Sequence, residues 1–376
     1  MKKVVTLILA LSFSLLLMIG MANGQTHLWG TCWHGGGHGY GTIFKTDSNG
    51  NNLQSDYSMF ETLGAFPIGD LVYVNNGKFY GIADSNSCAY SGVIYSYESA
   101  TGIFDVIYDF GCSGLHGMSP FCGMTFASDG KLYGLCSYGG AYGYGGVIYS
   151  LDPVTNVYTD IFDFDTLSGF YPGGTLTQLS NGKLYGITQF GGANNGGTMF
   201  SFDPANSTYT LLHSFADSST GLSQYAGNGG LLQATDGKLY GMNYEGGPHN
   251  AGFIFSYDLS TNVYNEVFDF DSLNGGSPFG NLIQASNGLI YGMTEVGGNS
   301  SDGVIFSYDI TTNTYTDLFD FDGTNGETPT RGLMQARNGL LYGTTDVGGN
   351  LYWGGSSLVL ILILILKLFY IILVQE

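Results

Sequence analysis

The phrase "GKLYG" and its close relatives return along this chain at a nearly constant interval. Aligned on their aromatic residue, Trp29, Tyr80, Tyr133, Tyr185, Tyr240, Tyr291 and Tyr342 stand 51, 53, 52, 55, 51 and 51 residues apart. A repeat of about fifty residues is the length of one four-stranded propeller blade. Within a unit, "GGLLQAT" (Gly229 to Thr235) reads as strand A, and a "DG" hairpin leads into strand B, "KLYGMNY". Strand C is "GFIFSYD" (Gly252 to Asp258), whose alternating Phe253, Phe255 and Tyr257 mark a packed face. Strand D is "VYNEVFDF" (Val263 to Phe270), reached through "LSTN". One such unit cannot bury both of its faces, so stability has to come from stacking units around a ring.

Composition agrees with an all-β fold: of 376 residues, 61 are Gly, 28 Tyr and 25 Phe, which suits short strands closed by glycine turns. The expected fold is a β-propeller of four-stranded blades. Six blades follow if the last A strand (Gly332 to Ala336) joins the N-terminal B, C and D strands in one shared blade. Seven is the alternative, because Leu341 to Thr345 is a further B strand without its own C and D.

Residues 1–24 have a basic start, an apolar run from Val4 to Met21 and small residues before Gln25, the pattern of a secretory signal peptide. The same run is about long enough to act as an uncleaved anchor. The propeller then occupies 25–355. Residues 356–376 form a hydrophobic tail, with 17 residues from Leu358 to Val374 interrupted by Lys367. That tail reads as a membrane anchor or as an aberrant end of a repeat, and is expected to add no strand to the propeller.

Loss of Lys2 and Lys3 leaves 8 basic against 30 acidic residues, a charge near −22. Such a field repels phosphates, so nucleic acid is excluded as a partner, and cations, neutral glycans or proteins fit better. Five cysteines (Cys32, Cys88, Cys112, Cys122, Cys136) lie in the first part of the chain. In an oxidising compartment they imply one or two disulfides, with Cys112 and Cys122, which flank one loop, the easiest pair to envisage.

The combination of "DGKLYG", a glycine pair six residues after the Tyr, a "G(V/T)(I/M)F(S)(Y/F)D" strand and "LFDFDG…G…P" resembles the GloVer tandem repeat of exported "choice-of-anchor" bacterial proteins. The resemblance runs from about Leu28 to Gly355. It is also similar to kelch repeats, with an aromatic in strand D (Tyr158, Tyr209, Tyr264, Tyr315). It implies a propeller and, from the kelch likeness, binding on the face of the B–C and D–A loops. No activity comes with it.

Variation concentrates in those loops, where function on a rigid scaffold usually resides. Tyr138, Tyr142, Phe190, Asn194, Tyr244 and His249 occupy the variable B–C positions and are the candidate ligand-binding residues. The D–A segments repeat carboxylate pairs, Asp163 with Asp165, Asp269 with Asp271, and Asp320 with Asp322. Two residues apart on a strand, both carboxylates would share a side and offer a Ca²⁺ site, with no other cofactor expected; turn capping is the competing reading. Cys32, His34 and His38 look metal-like but align with ordinary loop variation. No nucleophile and base stand together. The leading expectation is an exported, monomeric, non-catalytic propeller that binds a glycan or protein at the cell surface, with membrane contact only through the tail. The alternative is a carbohydrate-active enzyme using loop carboxylates, which their repetition in several blades disfavours.

Overall fold

The computed structural model describes residues 27–345 apart from 34–35, 49, 51, 62–63, 86–90, 121–122 and 216–228. Beyond 345 it describes only the strand residues named below. The signal-peptide reading, His34, Cys88 and Cys122 therefore lie outside the described residues. Cys112 is disulfide-bonded.

Among the described residues the regular structure is β throughout. The first sheet has three strands, β1 (His27–Cys32), β2 (Thr42–Asp47) and β3 (Gln54–Ser58). Six antiparallel four-stranded sheets follow, the complete blades of a six-bladed propeller. The first holds β4 (Ala65–Tyr73), β5 (Phe79–Ser85), β6 (Val93–Glu98) and β7 (Ile103–Asp109). The second holds β8 (Thr125–Phe126), β9 (Leu132–Cys136), β10 (Val147–Asp152) and β11 (Val157–Asp163). Next come β12 (Phe170–Gln178), β13 (Leu184–Phe190), β14 (Thr198–Asp203) and β15 (Thr208–Ser214). The fourth comprises β16 (Leu232–Gln233), β17 (Leu239–Asn243), β18 (Phe253–Asp258) and β19 (Val263–Asp269). The fifth comprises β20 (Gly276–Gln284), β21 (Ile290–Val296), β22 (Val304–Asp309) and β23 (Thr314–Asp320). In the sixth, β24 (Met334–Gln335) and β25 (Leu341–Tyr342) precede a small hairpin, β26 (Tyr352–Trp353) and β27 (Ser356–Ser357), and β28 (Leu362–Ile365) and β29 (Tyr370–Leu373) complete the sheet.

Two expectations are corrected at the ends. The terminal strands do not share a sheet: β24 pairs with β25, and β1–β3 stand alone as a seventh, incomplete sheet. A hairpin whose strands are joined by one short turn has little closure entropy to overcome, whereas pairing β24 with β1 would join opposite ends of the chain. The tail also contributes to the propeller, because Leu341 of β25 stands opposite Ile363 of β28. A Leu and Ile run without polar alternation is the composition of a strand covered on both faces.

The repeated phrase has a structural meaning residue by residue. In "SNGKLYG", the Asn181 carboxamide oxygen accepts the Lys183 N–H at 3.0 Å, and its nitrogen donates to the Tyr185 hydroxyl at 2.8 Å. Asn287 and Asn338 hold Tyr291 and Tyr342 in the same way, and Asp129 and Asp236 accept from Tyr133 and Tyr240. Gly182 turns the corner at φ 79° with open space around it, so it is there for its backbone conformation. Gly186, the glycine after the tyrosine, serves packing instead. A Cβ there would lie 2.6 Å from Phe200 Cζ, so the strand C ring lies over bare backbone.

Between sheets, six apolar clusters join each sheet to the next, from Trp29 with Phe79 and Tyr95 at one end to Met293 with Leu333 and Leu341 at the other. The strand D aromatics add an outer ladder. Tyr57 stacks on Phe104, Tyr108 on Tyr158, Phe162 on Tyr209, His213 on Tyr264 and Phe268 on Tyr315, at centroid separations of 3.8 to 4.5 Å. Each such stack contributes about 0.5–1.5 kcal/mol beyond its buried area.

Candidate functional site: the loop face

Successive strands run antiparallel, so the B–C and D–A loops emerge on one face and the tight turns on the other. Three repeated ties hold the loop face. First, the residue ending strand D accepts the N–H that follows the B–C glycine pair: Asp163 from Ala141 (2.7 Å), Asp320 from Asn299 (2.8 Å), and serine in place of aspartate in Ser214 from Ala193 (3.3 Å). Asp269 has Pro248 opposite, which has no N–H, and its Oδ1 is buried without a partner. Second, the residue before the conserved-position proline of each inner strand holds a left-handed φ of 51° to 61° at Phe66, Ser119, Tyr171, Ser277 and Thr328. Its N–H bonds the preceding B–C loop, as from Tyr171 to the Gly145 carbonyl (3.1 Å) and from Ser277 to Ala251 (2.8 Å). Third, the strand D tyrosines Tyr158, Tyr209 and Tyr315 donate to the D–A carbonyls of His116, Ser168 and Asn274.

These ties separate the carboxylate pairs. Strand D ends at Asp163, Asp269 and Asp320, so the period-two alternation that would align both members stops there. Asp165, Asp271 and Asp322 instead cap their own turns. Asp165 accepts from the Leu167 and Ser168 N–H groups, Asp271 from Leu273 and Asn274, and Asp322 from Thr324 and Asn325. Hydrogen bonds from these turns hold the Asp165 and Asp322 carboxyls below the usual range. The first member ties a B–C loop and the second caps a D–A turn. No group of three or more His, Cys, Asp or Glu side chains with metal-binding geometry occurs among the described residues.

A pairing that spacing did not reveal comes from the bulge in strand D, where Asp160 faces Tyr149 and Phe162 faces Ile148. It sets Asp160 against Asp163, and likewise Glu266 against Asp269 and Asp317 against Asp320. Burial, with Asp163 adding repulsion and His116 a partial offset, pushes the Asp160 carboxyl up to about 6. A raised pKa means that the folded state holds this proton more tightly than the unfolded chain. The stabilisation is complete below the ordinary aspartate value and is lost as pH rises through about 6. Asp160→Asn is therefore expected to raise the melting temperature at pH 8 and leave it unchanged at pH 4, measured by thermal denaturation at both values. After discounting for its solvent-exposed part, the gain is about 1 kcal/mol.

The six candidate binding residues fall into two groups. Tyr138, Phe190 and Tyr244 end strand B and pack inward. Tyr138 meets Tyr171 edge-on (4.8 Å), Phe190 stacks on Phe170 (5.4 Å), and the Tyr244 hydroxyl donates to Glu295 (2.7 Å). Tyr142, Asn194 and His249 are exposed at the loop tips. Beside them stand apolar side chains that variability did not single out: Tyr144 (72% exposed), Leu167 (76%), Leu273 (81%) and Leu115 (64%). The signal was present in "DTLSG" and "DSLNG", since an Asx turn has no need of a leucine at its tip.

The geometry defines a repeat-built β-propeller with a braced loop face bearing apolar tips. The chain belongs to the Gloeobacter/Verrucomicrobia repeat family, whose profile matches residues 20–228 and 178–356. No curated protein matches the sequence. Among solved structures it is similar to the extracellular domain of BT4673 from B. thetaiotaomicron, at 14% identity and TM-score 0.56, over 86% of this chain and 38% of that one. This chain thus spans well under half the length of that domain. It is similar also to a protein assigned as a 6-phosphogluconolactonase from Bacteroides uniformis, at 13% identity and TM-score 0.59, covering 92% of this chain and 94% of that one. An oligogalacturonate lyase in complex with manganese has 13% identity and TM-score 0.53, with 83% and 81% covered. At these identities the likeness is one of fold. Among the described residues no helix is long and apolar enough to cross a membrane.

Proposed function

We propose that this protein is an exported, non-catalytic propeller that binds a glycan or a protein at the cell surface through its B–C and D–A loop face. The observation that carries this reading is the exposure of Tyr142, Tyr144, Leu167 and Leu273 on loops whose backbones are tied at every blade. Exposed aromatic and aliphatic side chains on a rigid frame lose little entropy on binding and present flat apolar area to a sugar ring or a protein. The loop carboxylates that catalysis would draw on already accept backbone N–H groups. Export agrees with the leader-like first 24 residues and with the extracellular setting of the BT4673 domain.

The test is a glycan array and a surface-protein pull-down with the purified chain, repeated with Tyr142→Ala plus Tyr144→Ala. Binding is expected to weaken at least about tenfold with an unchanged melting temperature, the loss of one or two desolvated aromatic contacts. Equal binding by the double variant would place the contact elsewhere.

A further inference from the structure

The seam of the ring lacks one strand. In the six four-stranded sheets an inner strand pairs with strand B, whereas β1 pairs with β2 alone. The β1–β3 sheet is nevertheless flanked on both sides. Thr31 Oγ1 donates to the Gly69 carbonyl (3.3 Å), and Asn338 Nδ2 donates to the Ser48 carbonyl (3.2 Å), as Asn76 does to Pro153 between complete blades (3.4 Å). Near the axis, Asp70 of β4 and Arg331 before β24 interact across the gap, and Asp70 keeps its solvent contact. The apolar clusters that join successive sheets include none between the last sheet and the first among the described residues.

The missing strand leaves a defined set of contacts. Where β8 is present, the Ala127 N–H bonds the Lys131 carbonyl and Thr125 stands opposite Tyr133. Trp29 is the equivalent of Tyr133, so the main chain of Trp29 and of Thr31 turns toward the vacant side. A second contact is a side-chain latch. Each complete inner strand carries a glutamine two residues after a buried leucine, and its Oε1 accepts an N–H from the preceding blade's turn. Gln178 accepts from Ser128 (2.8 Å), Gln284 from Thr235 (2.8 Å) and Gln335 from Ser286 (2.9 Å). At the seam the equivalent N–H belongs to Arg337.

We infer that this slot binds an extended segment of another protein chain, of pattern small-x-Leu-x-Gln, added as the inner strand antiparallel to β1. This chain's own copies of the pattern are already built into blades, and that of β24 is latched by two hydrogen bonds to Ser286. The incoming main chain pairs with β1, its leucine enters the apolar seam beside Leu28 and Trp29, and its glutamine takes the Arg337 N–H. With Asp70 at the slot and a chain charge of −20, a neutral or basic flank on the segment is favoured.

The probe is a labelled peptide, GNLIQAS, the sequence of residues 280–286, titrated onto the full chain by fluorescence anisotropy and by thermal denaturation. Saturable binding with a rise of several degrees in melting temperature is expected. Replacing the peptide leucine by aspartate, or its glutamine by leucine, should weaken binding at least about tenfold. Thr31→Pro, which removes an N–H facing the slot and leaves the β1–β2 ladder intact, should do the same; the peptide variants keep the test open if that chain variant does not fold. Binding of the aspartate peptide equal to that of GNLIQAS, or no binding of either, overturns the inference. A free chain that is dimeric and becomes monomeric on adding GNLIQAS also overturns it, by placing a second copy of this chain in the slot.

Discussion

Replacing Gly186 by valine is expected to destabilise the chain by at least about 3 kcal/mol, the upper end for overpacking a filled core. The added Cβ would lie 2.6 Å from Phe200 Cζ and 2.9 Å from Leu176 Cδ2. Phe200 is fully buried and Leu176 nearly so, and neither has a free direction to move. Chemical denaturation measures the loss. Its mechanism is checked by adding Phe200→Ala, which alone costs about 3–5 kcal/mol through the cavity it leaves. The valine partly fills that cavity, so the double variant should lose clearly less than the sum of the single changes. Strict additivity would mean that the ring and the glycine are not packed as described. Gly182→Ala is the contrasting case, with no atom within 4 Å and a cost of only about 1 kcal/mol from its positive φ.

Tyr315→Ala should cost about 3 kcal/mol. The ring stacks on Phe268 at 3.9 Å and 3°, lies 5.3 Å from Phe306, and its hydroxyl holds the Asn274 carbonyl of the D–A loop. Tyr315→Phe keeps both stacks and removes only the hydrogen bond, so about 1 kcal/mol should be lost. Hydrogen exchange of the Asn274 to Gly276 amides separates the two roles. Both variants should speed exchange in that loop, while only the alanine should loosen β19 and β23. Loss of loop protection in the alanine variant alone would show that the hydroxyl bond does not brace the loop.

Most of the strands were legible because each repeat states its contacts locally. The turn Asn or Asp reaches a tyrosine four residues away, the turn glycine needs positive φ, and the strand C aromatic needs the glycine opposite it. Identity at these positions repeats every fifty residues because the geometry does. The carboxylate pairs were less legible. A spacing of two places side chains on one side only while the strand continues, and strand D stops at Asp163, Asp269 and Asp320. The bulge then pairs these residues with Asp160, Glu266 and Asp317, three positions earlier, an offset that a regular strand does not produce. The loop candidates divided for a related reason. Tyr138, Phe190 and Tyr244 vary in identity yet face the next blade's inner strand, so variation there reflects packing partners.

By itself the sequence determined the repeat, its four-stranded unit, the hairpin turns and the need for a ring, since these follow from side-chain periodicity and from contacts within about fifty residues. Tertiary structure alone decided how the ring ends. Whether β24 pairs with β25 or with β1 depends on a balance between a cheap local hairpin and a closure spanning about three hundred residues. No pattern within one repeat encodes that balance. The same holds for the tail. A run of leucine and isoleucine suits a bilayer and a doubly covered strand equally, and only the presence of β25 as a pairing edge places Leu362–Ile365 in a sheet.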